Sequence, residues 1–186
     1  MKSAYFMYRR RLSMAVVWIG LTILTGGLVT GCSYSTDTGP TASETSGKLI
    51  RSSGCKSQLS TYAMERTPTN KDCIEYSYDD TNAVLLLTHI NSGFNCCPTS
   101  VTANIEIEDS IIHIQEMEFL DQGGCLCLCL FDLEYQINKL SPGEYHIIIS
   151  QLYLNEGDDV LQFPINLITS PSGRYCVDRN HYPWGI

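Results

Sequence analysis

Three cysteines stand on alternate positions in "GGCLCLCLFDLEYQ", residues 123–136: Cys125, Cys127 and Cys129. Cys96 and Cys97 are adjacent in "FNCCP", and Cys55, Cys73 and Cys176 lie towards the flanks. Thiols at this density ligate a soft metal, exchange with disulfides, or cross-link the chain. Spacing separates these chemistries. Along a strand, alternate residues lie about 6.6 Å apart and the outer two of three about 13 Å. Sulfurs on one zinc sit within about 4 Å of each other, given zinc–sulfur bonds of about 2.3 Å. A regular strand therefore cannot bring Cys125, Cys127 and Cys129 onto one ion. Nor do alternate cysteines bridge each other easily, because bridged Cβ atoms lie about 3.8 Å apart. Each of the three is expected to reach a different partner. Cys96 and Cys97 face opposite ways in an extended chain, so they too should have separate partners. Cys55, Cys73 and Cys176 are placed to pin the N-terminal segment and the C-terminal tail. Eight cysteines allow 105 pairings, and the sequence does not choose among them. Two other chemistries stay open. A bent "FNCC" loop with one or two strand cysteines can hold a thiophilic ion such as Cu(I). Thiol–disulfide chemistry is the other, although its usual C-x-x-C motif is absent.

Which chemistry applies depends on the compartment. Residues 1–13 carry Lys2, Arg9, Arg10 and Arg11 and no acid, residues 14–29 are apolar, and "TGC" follows. That order reads as a secretory signal. Its apolar run is short of the roughly 20 residues of a spanning helix. "LVTGC" resembles the lipobox of bacterial lipoproteins. The resemblance implies cleavage before Cys32 and a lipid on Cys32, which tethers the chain to a membrane. Ser33 after that cysteine is compatible with outer-membrane sorting in Gram-negative lipoproteins. The ninth cysteine is thereby accounted for, and the even remainder in an extracytoplasmic chain favours disulfides.

Loss of residues 1–31 would leave 155 of 186 residues and take the net charge from −8 to −12, because that segment holds four basic residues and no acidic one. The sign opposes nucleic-acid binding, which relies on Lys and Arg against phosphate. It also opposes adhesion to anionic lipid through a basic patch.

The elements that must position the cysteines are strands. Residues 32–54 are rich in Ser, Thr and Gly and read as the lipidated Cys and a flexible tether. A domain is expected over 55–186. Strands are expected at 73–79, 83–91, 100–108, 110–119, 125–137, 144–154 and 161–168, with Pro164 making the last an edge. Asp109-Ser110 falls where a hairpin turn belongs, and a short helix is expected over 56–67. Seven such strands predict an all-β, antiparallel, disulfide-stapled sandwich. "LSPGEYHI", residues 140–147, resembles the tyrosine corner of immunoglobulin-like sandwiches, with Leu140, Pro142, Gly143 and Tyr145 at matching positions. The resemblance implies an immunoglobulin-like architecture. The Cys–Trp–Cys pattern of antibody domains is absent.

Within 125–137 the odd positions continue as Phe131, Leu133, Tyr135 and Ile137, and the even ones as Asp132, Glu134 and Gln136. Odd is therefore inward, which turns Leu126, Leu128 and Leu130 outward. Either another segment covers these leucines or they form a contact surface for a partner. The tail "SGRYCVDRNHYPWGI" offers Tyr182 and Trp184, types that anchor interfaces. It either packs on its own sandwich, over those leucines, or docks into a neighbour.

Other chemistry is sparse. His89, His113 and His146 fall one to a strand and His181 in the tail, without a metal-binding spacing, and read as surface or satisfied core histidines. "YDD" and "NEGDD" are acidic turns that can attract calcium but are ordinary hairpin ends. P-loop, G-x-S-x-G and dinucleotide motifs are absent. "FNCC", "CLCLCLFDLEY", "LSPGEY" and "CVDRNHYPW", beside the lipobox, resemble small cysteine-rich lipoproteins of Gram-negative envelopes without an assigned activity. The expectation is a lipid-anchored, non-catalytic binding or structural module without a cofactor, with an envelope protein or glycan as partner. The alternative is a thiol-based metal-binding or redox protein using the Cys96–Cys129 group. An envelope hydrolase is a third class, for which no nucleophile–base constellation is visible.

Overall fold

Alternation of apolar and polar residues produces nine strands. The computed structural model describes residues 44–56 and 67–185. The strands are β1 (Ser46–Ser52), β2 (Lys71–Asp79), β3 (Val84–Asn95), β4 (Ser100–Glu108), β5 (Ile111–Phe119), β6 (Leu128–Asn138), β7 (Glu144–Ser150), β8 (Gln162–Asn166) and β9 (Ser172–Asp178). One sheet has the order β1-β6-β3-β2-β9 and the other β4-β5-β7-β8. The immunoglobulin-like expectation holds as a two-sheet all-β sandwich. One pair departs from it: β5 and β7 run parallel. Pro164 does lie in an edge strand, β8, and Asp109, at φ +51°, forms the β4–β5 turn with Ser110.

Two of the nine strands are additions. β1 falls inside the segment read as tether, so the folded unit begins before Cys55. The reason is that an edge strand needs few apolar residues. β1 pairs with β6 alone and packs Leu49, partly buried, against the core. Gly47 lets it close on the other sheet, since a Cβ there would lie 2.5 Å from Ile105. β9 is the second addition. It pairs with β2 as the opposite edge and is largely exposed. The helix expected over 56–67 falls mostly outside the described residues.

The core lies between the sheets. Leu85, Leu87, Leu133, Tyr135 and Ile137 from one sheet meet Ile112, Ile114, Ile147, Ile149 and Phe163 from the other. The tyrosine corner is present: the Tyr145 hydroxyl donates to the Ser141 carbonyl at 2.8 Å.

A bulge in β3 decides which of its later residues face inward. Its register against β6 slips between Ile90 and Ser92, and Asn91 takes φ +68°, a conformation Asn tolerates better than most residues. Period-two alternation would otherwise send Asn91 and Gly93 inward after His89. The slip sends Ser92 and Phe94 inward instead, opposite Phe131 and Cys129. Asn91 holds the bulge by donating through Nδ2 to the carbonyls of Pro68 (2.9 Å) and Lys71 (2.7 Å) and accepting from Lys56 Nζ at 2.7 Å.

Candidate functional site

The four bridges are Cys55–Cys129, Cys73–Cys176, Cys96–Cys127 and Cys97–Cys125. Each cysteine of the 125–129 run has its own partner, as expected. Cys96 and Cys97 take two of them, and Cys55, in the strap after β1, takes the third. Cys73 and Cys176 face each other across β2 and β9 and fasten the C-terminal strand. One positional expectation is corrected. β6 starts at Leu128, so Cys125 and Cys127 precede it in a loop and only Cys129 lies in the strand, packed against the core. That loop is shaped by Asn95, whose Oδ1 accepts from the amides of Cys97 (3.1 Å) and Cys125 (3.0 Å), while its Nδ2 donates to the Cys125 carbonyl at 2.7 Å. Three bridges thus cap the pole where β3 ends and β6 begins. The chain enters β1 at the other pole, where Ser46 pairs with Asn138.

The tail packs on this capped pole, so two of the five expected contact residues are internal. Trp184 is 1% exposed. It donates from Nε1 to the Asn91 carbonyl at 2.7 Å and lies where a side chain on Gly93 would project. Leu130, paired with Gly93, is 5% exposed. The Tyr182 hydroxyl accepts from the Leu128 amide at 2.9 Å and donates to the Leu128 carbonyl. Trp184 and Leu130 are therefore not partner contacts, because the chain's own tail and bulge occupy that face. Leu128 is partly covered. Leu126, in the loop before β6, is fully exposed, and Tyr182 is half exposed.

Beneath the cap lies a cluster that no sequence motif announces. His89 sits between two carboxylates, with Nε2 2.6 Å from Asp72 Oδ1 and Nδ1 against Glu116 Oε1. Glu116 also accepts from Ser92 Oγ (2.6 Å) and the Tyr135 hydroxyl (2.5 Å). Asp72 also accepts from Gln151 Nε2 at 2.9 Å and from the Arg179 guanidinium. All of Asp72, His89, Ser92 and Glu116 are closed to solvent. Burial lowers the His89 pKa, but Glu116 and Asp72 outweigh it and push the value up to about 10. Burial raises the Asp72 pKa, and the charge and hydrogen bond of His89, the Arg179 charge and the Gln151 hydrogen bond together bring it below the ordinary carboxylate value. Burial, with Glu116 beside it, holds the Tyr135 hydroxyl well above its usual range. With His89 protonated, two anions meet two cations and the cluster closes neutral. This is a satisfied core histidine. Its position seals it from any substrate and makes it a pin between the sheets.

Among the described residues, Cys55, Cys96 and Cys129 form the one group of three or more metal-type ligands close enough to share an ion, and all three are in bridges. The acidic turns are held by their own chain. Asp79 accepts from the Thr81 and Asn82 amides at 3.0 and 3.2 Å, and Asp158 from the Asn155 amide at 2.6 Å. Ser150 Oγ lies 2.8 Å from His113 Nε2 on the outer face of the second sheet. Glu106 pairs with His113 in register, but its carboxylate accepts from Asn104 Nδ2 at 2.8 Å. A shallow groove of about 380 Å³ runs along the outer face of the first sheet, lined by Ile50, Glu75, Ser77, Leu86, Thr88 and Glu134. Its two carboxylates are paired to Arg174 and Arg51. No protein-family model, curated protein or solved structure matches this chain.

Proposed function

We propose that this protein is a lipid-anchored, extracytoplasmic sandwich with a non-catalytic binding or structural role at the cell envelope. The observation that carries the reading is the placement of the bridges. Cys55–Cys129 fastens the strap that follows β1 to β6, and Cys73–Cys176 fastens the last strand to β2. Such stapling suits an oxidising compartment. Ser46 lies at the pole opposite the cap, where it pairs with Asn138, and the exposed Leu126 lies in the loop at the capped pole. That loop is the face offered to an envelope protein or glycan.

The test is incorporation of labelled palmitate into the full chain, with membrane fractionation, beside Cys32→Ser. The expected result is label and sedimentation with membranes for the wild type, and loss of both in a variant whose four bridges remain intact. A wild-type chain that takes up no label, or a variant that stays with the membrane, overturns the reading.

A further inference from the structure

The sulfurs of Cys55, Cys96 and Cys129 all lie within 4.8 Å of one another, although they belong to two separate bridges. The backbone explains this. The Cys96 amide donates to the Cys127 carbonyl at 3.0 Å, so Cys96–Cys127 continues the β3–β6 ladder beyond its last paired residues. Cys129 lies two residues further along, and Cys55 reaches it from the strap after β1. Two bridges therefore stand side by side. Cys55 is exposed and the other two are partly so.

Thiol–disulfide exchange needs a thiolate beside a disulfide sulfur and an accessible path. We propose that Cys55, Cys96 and Cys129 form a three-sulfur exchange site, which takes reducing equivalents from a dithiol at Cys96–Cys127 and presents the resulting thiol at Cys55. This goes beyond the stapling role. In the first step a dithiol donates two electrons and two protons. The Cys96–Cys127 bond breaks into two thiols, and the reductant becomes a disulfide. In the second step Cys96, deprotonated, attacks Sγ of Cys129. A Cys96–Cys129 bond forms, the Cys55–Cys129 bond breaks, and the electron pair leaves on Cys55, which takes up the proton. That step is electronically neutral. Attack at Cys129 is favoured over Cys55 because Cys96 and Cys129 are held by adjoining ends of one paired ladder. Cys55, now an exposed thiol, can attack an external disulfide, joining one sulfur and releasing the other as thiolate. The ligand class is a thiol or disulfide partner.

The test is one equivalent of dithiothreitol on the oxidised full chain, alkylation of the thiols formed, and mapping of peptides by mass spectrometry. The expected species carries label on Cys55 and Cys127 with a Cys96–Cys129 bridge. Label on Cys96 and Cys127 with Cys55–Cys129 intact, or first opening of another bridge, overturns the proposal. Single variants probe the exchange without a reductant. Cys127→Ser leaves Cys96 unpaired, and label should spread to Cys55. Cys96→Ser leaves Cys127 unpaired, outside the trio, and label should stay there. Label confined to Cys96 in the first variant overturns the proposal. If either variant fails to fold, partial reduction of the wild type decides alone.

Discussion

Arg179 and Asp72 form an ion pair closed to water: the guanidinium donates to Oδ2 from Nε at 3.0 Å and from Nη2 at 2.7 Å. Arg179 follows the last strand and Asp72 lies at the start of β2, so the pair joins the tail to the core. The same guanidinium donates to the Asp159 carbonyl at 2.6 Å and to Gln151 Oε1 at 3.0 Å. Removing one partner of a buried pair leaves the other charged and unsolvated, which costs about 3–5 kcal/mol. Arg179→Met is expected to lower the unfolding free energy by that amount in urea titration. Arg179→Lys keeps the charge but loses the fork, and should fall between. An Arg179→Met protein as stable as wild type would remove the pair from the account.

His89 makes stability fall on the alkaline side. Its pKa rises from 6.5 to about 10 on folding. A raised value means that the folded state holds the proton more tightly. The stabilisation is complete below 6.5 and is lost as pH climbs towards 10, at up to about 1.4 kcal/mol per pH unit. Asp72 acts at the other end. Its lowered pKa gives stability present above the ordinary 3.8 and lost as pH falls through the folded value. Urea titrations across this range should show a plateau between 3.8 and 6.5 and a decline beyond. In His89→Gln the alkaline decline should shrink relative to wild type. An identical alkaline slope in both proteins would show that His89 is not its source.

This cluster was not legible in the sequence, and the reason is physical. Asp72, His89, Glu116 and Arg179 come from four segments, so no local spacing joins them. One signal exists: Glu116 continues the period-two series of Ile112 and Ile114, and a carboxylate at the third core-facing position demands buried partners. The seven strands from 73 to 168 were legible because period-two alternation is local. β1 was not, since "SGKLIRS" packs only Leu49, partly buried, against the core and reads by composition as linker. The separate partners of Cys125, Cys127 and Cys129 were expected from strand rise, although only Cys129 lies in a strand. Their identities depended on the β3–β6 register, which one inserted residue, Asn91, resets. The burial of Leu130 came from outside its own strand, from the tail.

The bridges should differ in their contribution. Cys73–Cys176 closes a separation of 103 residues and Cys97–Cys125 one of 28. Loop-closure entropy makes the longer loop the more stabilising by about 1 kcal/mol, within a typical 2–4 kcal/mol for either. The double replacement Cys73→Ser with Cys176→Ser should lower the thermal midpoint more than Cys97→Ser with Cys125→Ser. The reverse order would mean that the pole loop, shaped by Asn95, depends on its bridge more than β9 does on its own.

Gly93 and Trp184 offer the sharpest test of how the tail is held. A Cβ on Gly93 would lie 2.7 Å from the Trp184 ring, and Gly93 has no positive φ that would itself forbid a side chain. The conflict is therefore with the indole alone. Gly93→Ala should destabilise the wild type by about 1–3 kcal/mol, the range for overpacking. Trp184→Ala should cost about 3–5 kcal/mol as a large buried aromatic is removed. In the Trp184→Ala background, Gly93→Ala should become neutral or slightly stabilising, because alanine suits a strand better than glycine. The coupling in this cycle is the quantity to measure, by urea titration of the four proteins. An equal penalty on both backgrounds would place the tryptophan elsewhere, and with it uncover Leu130.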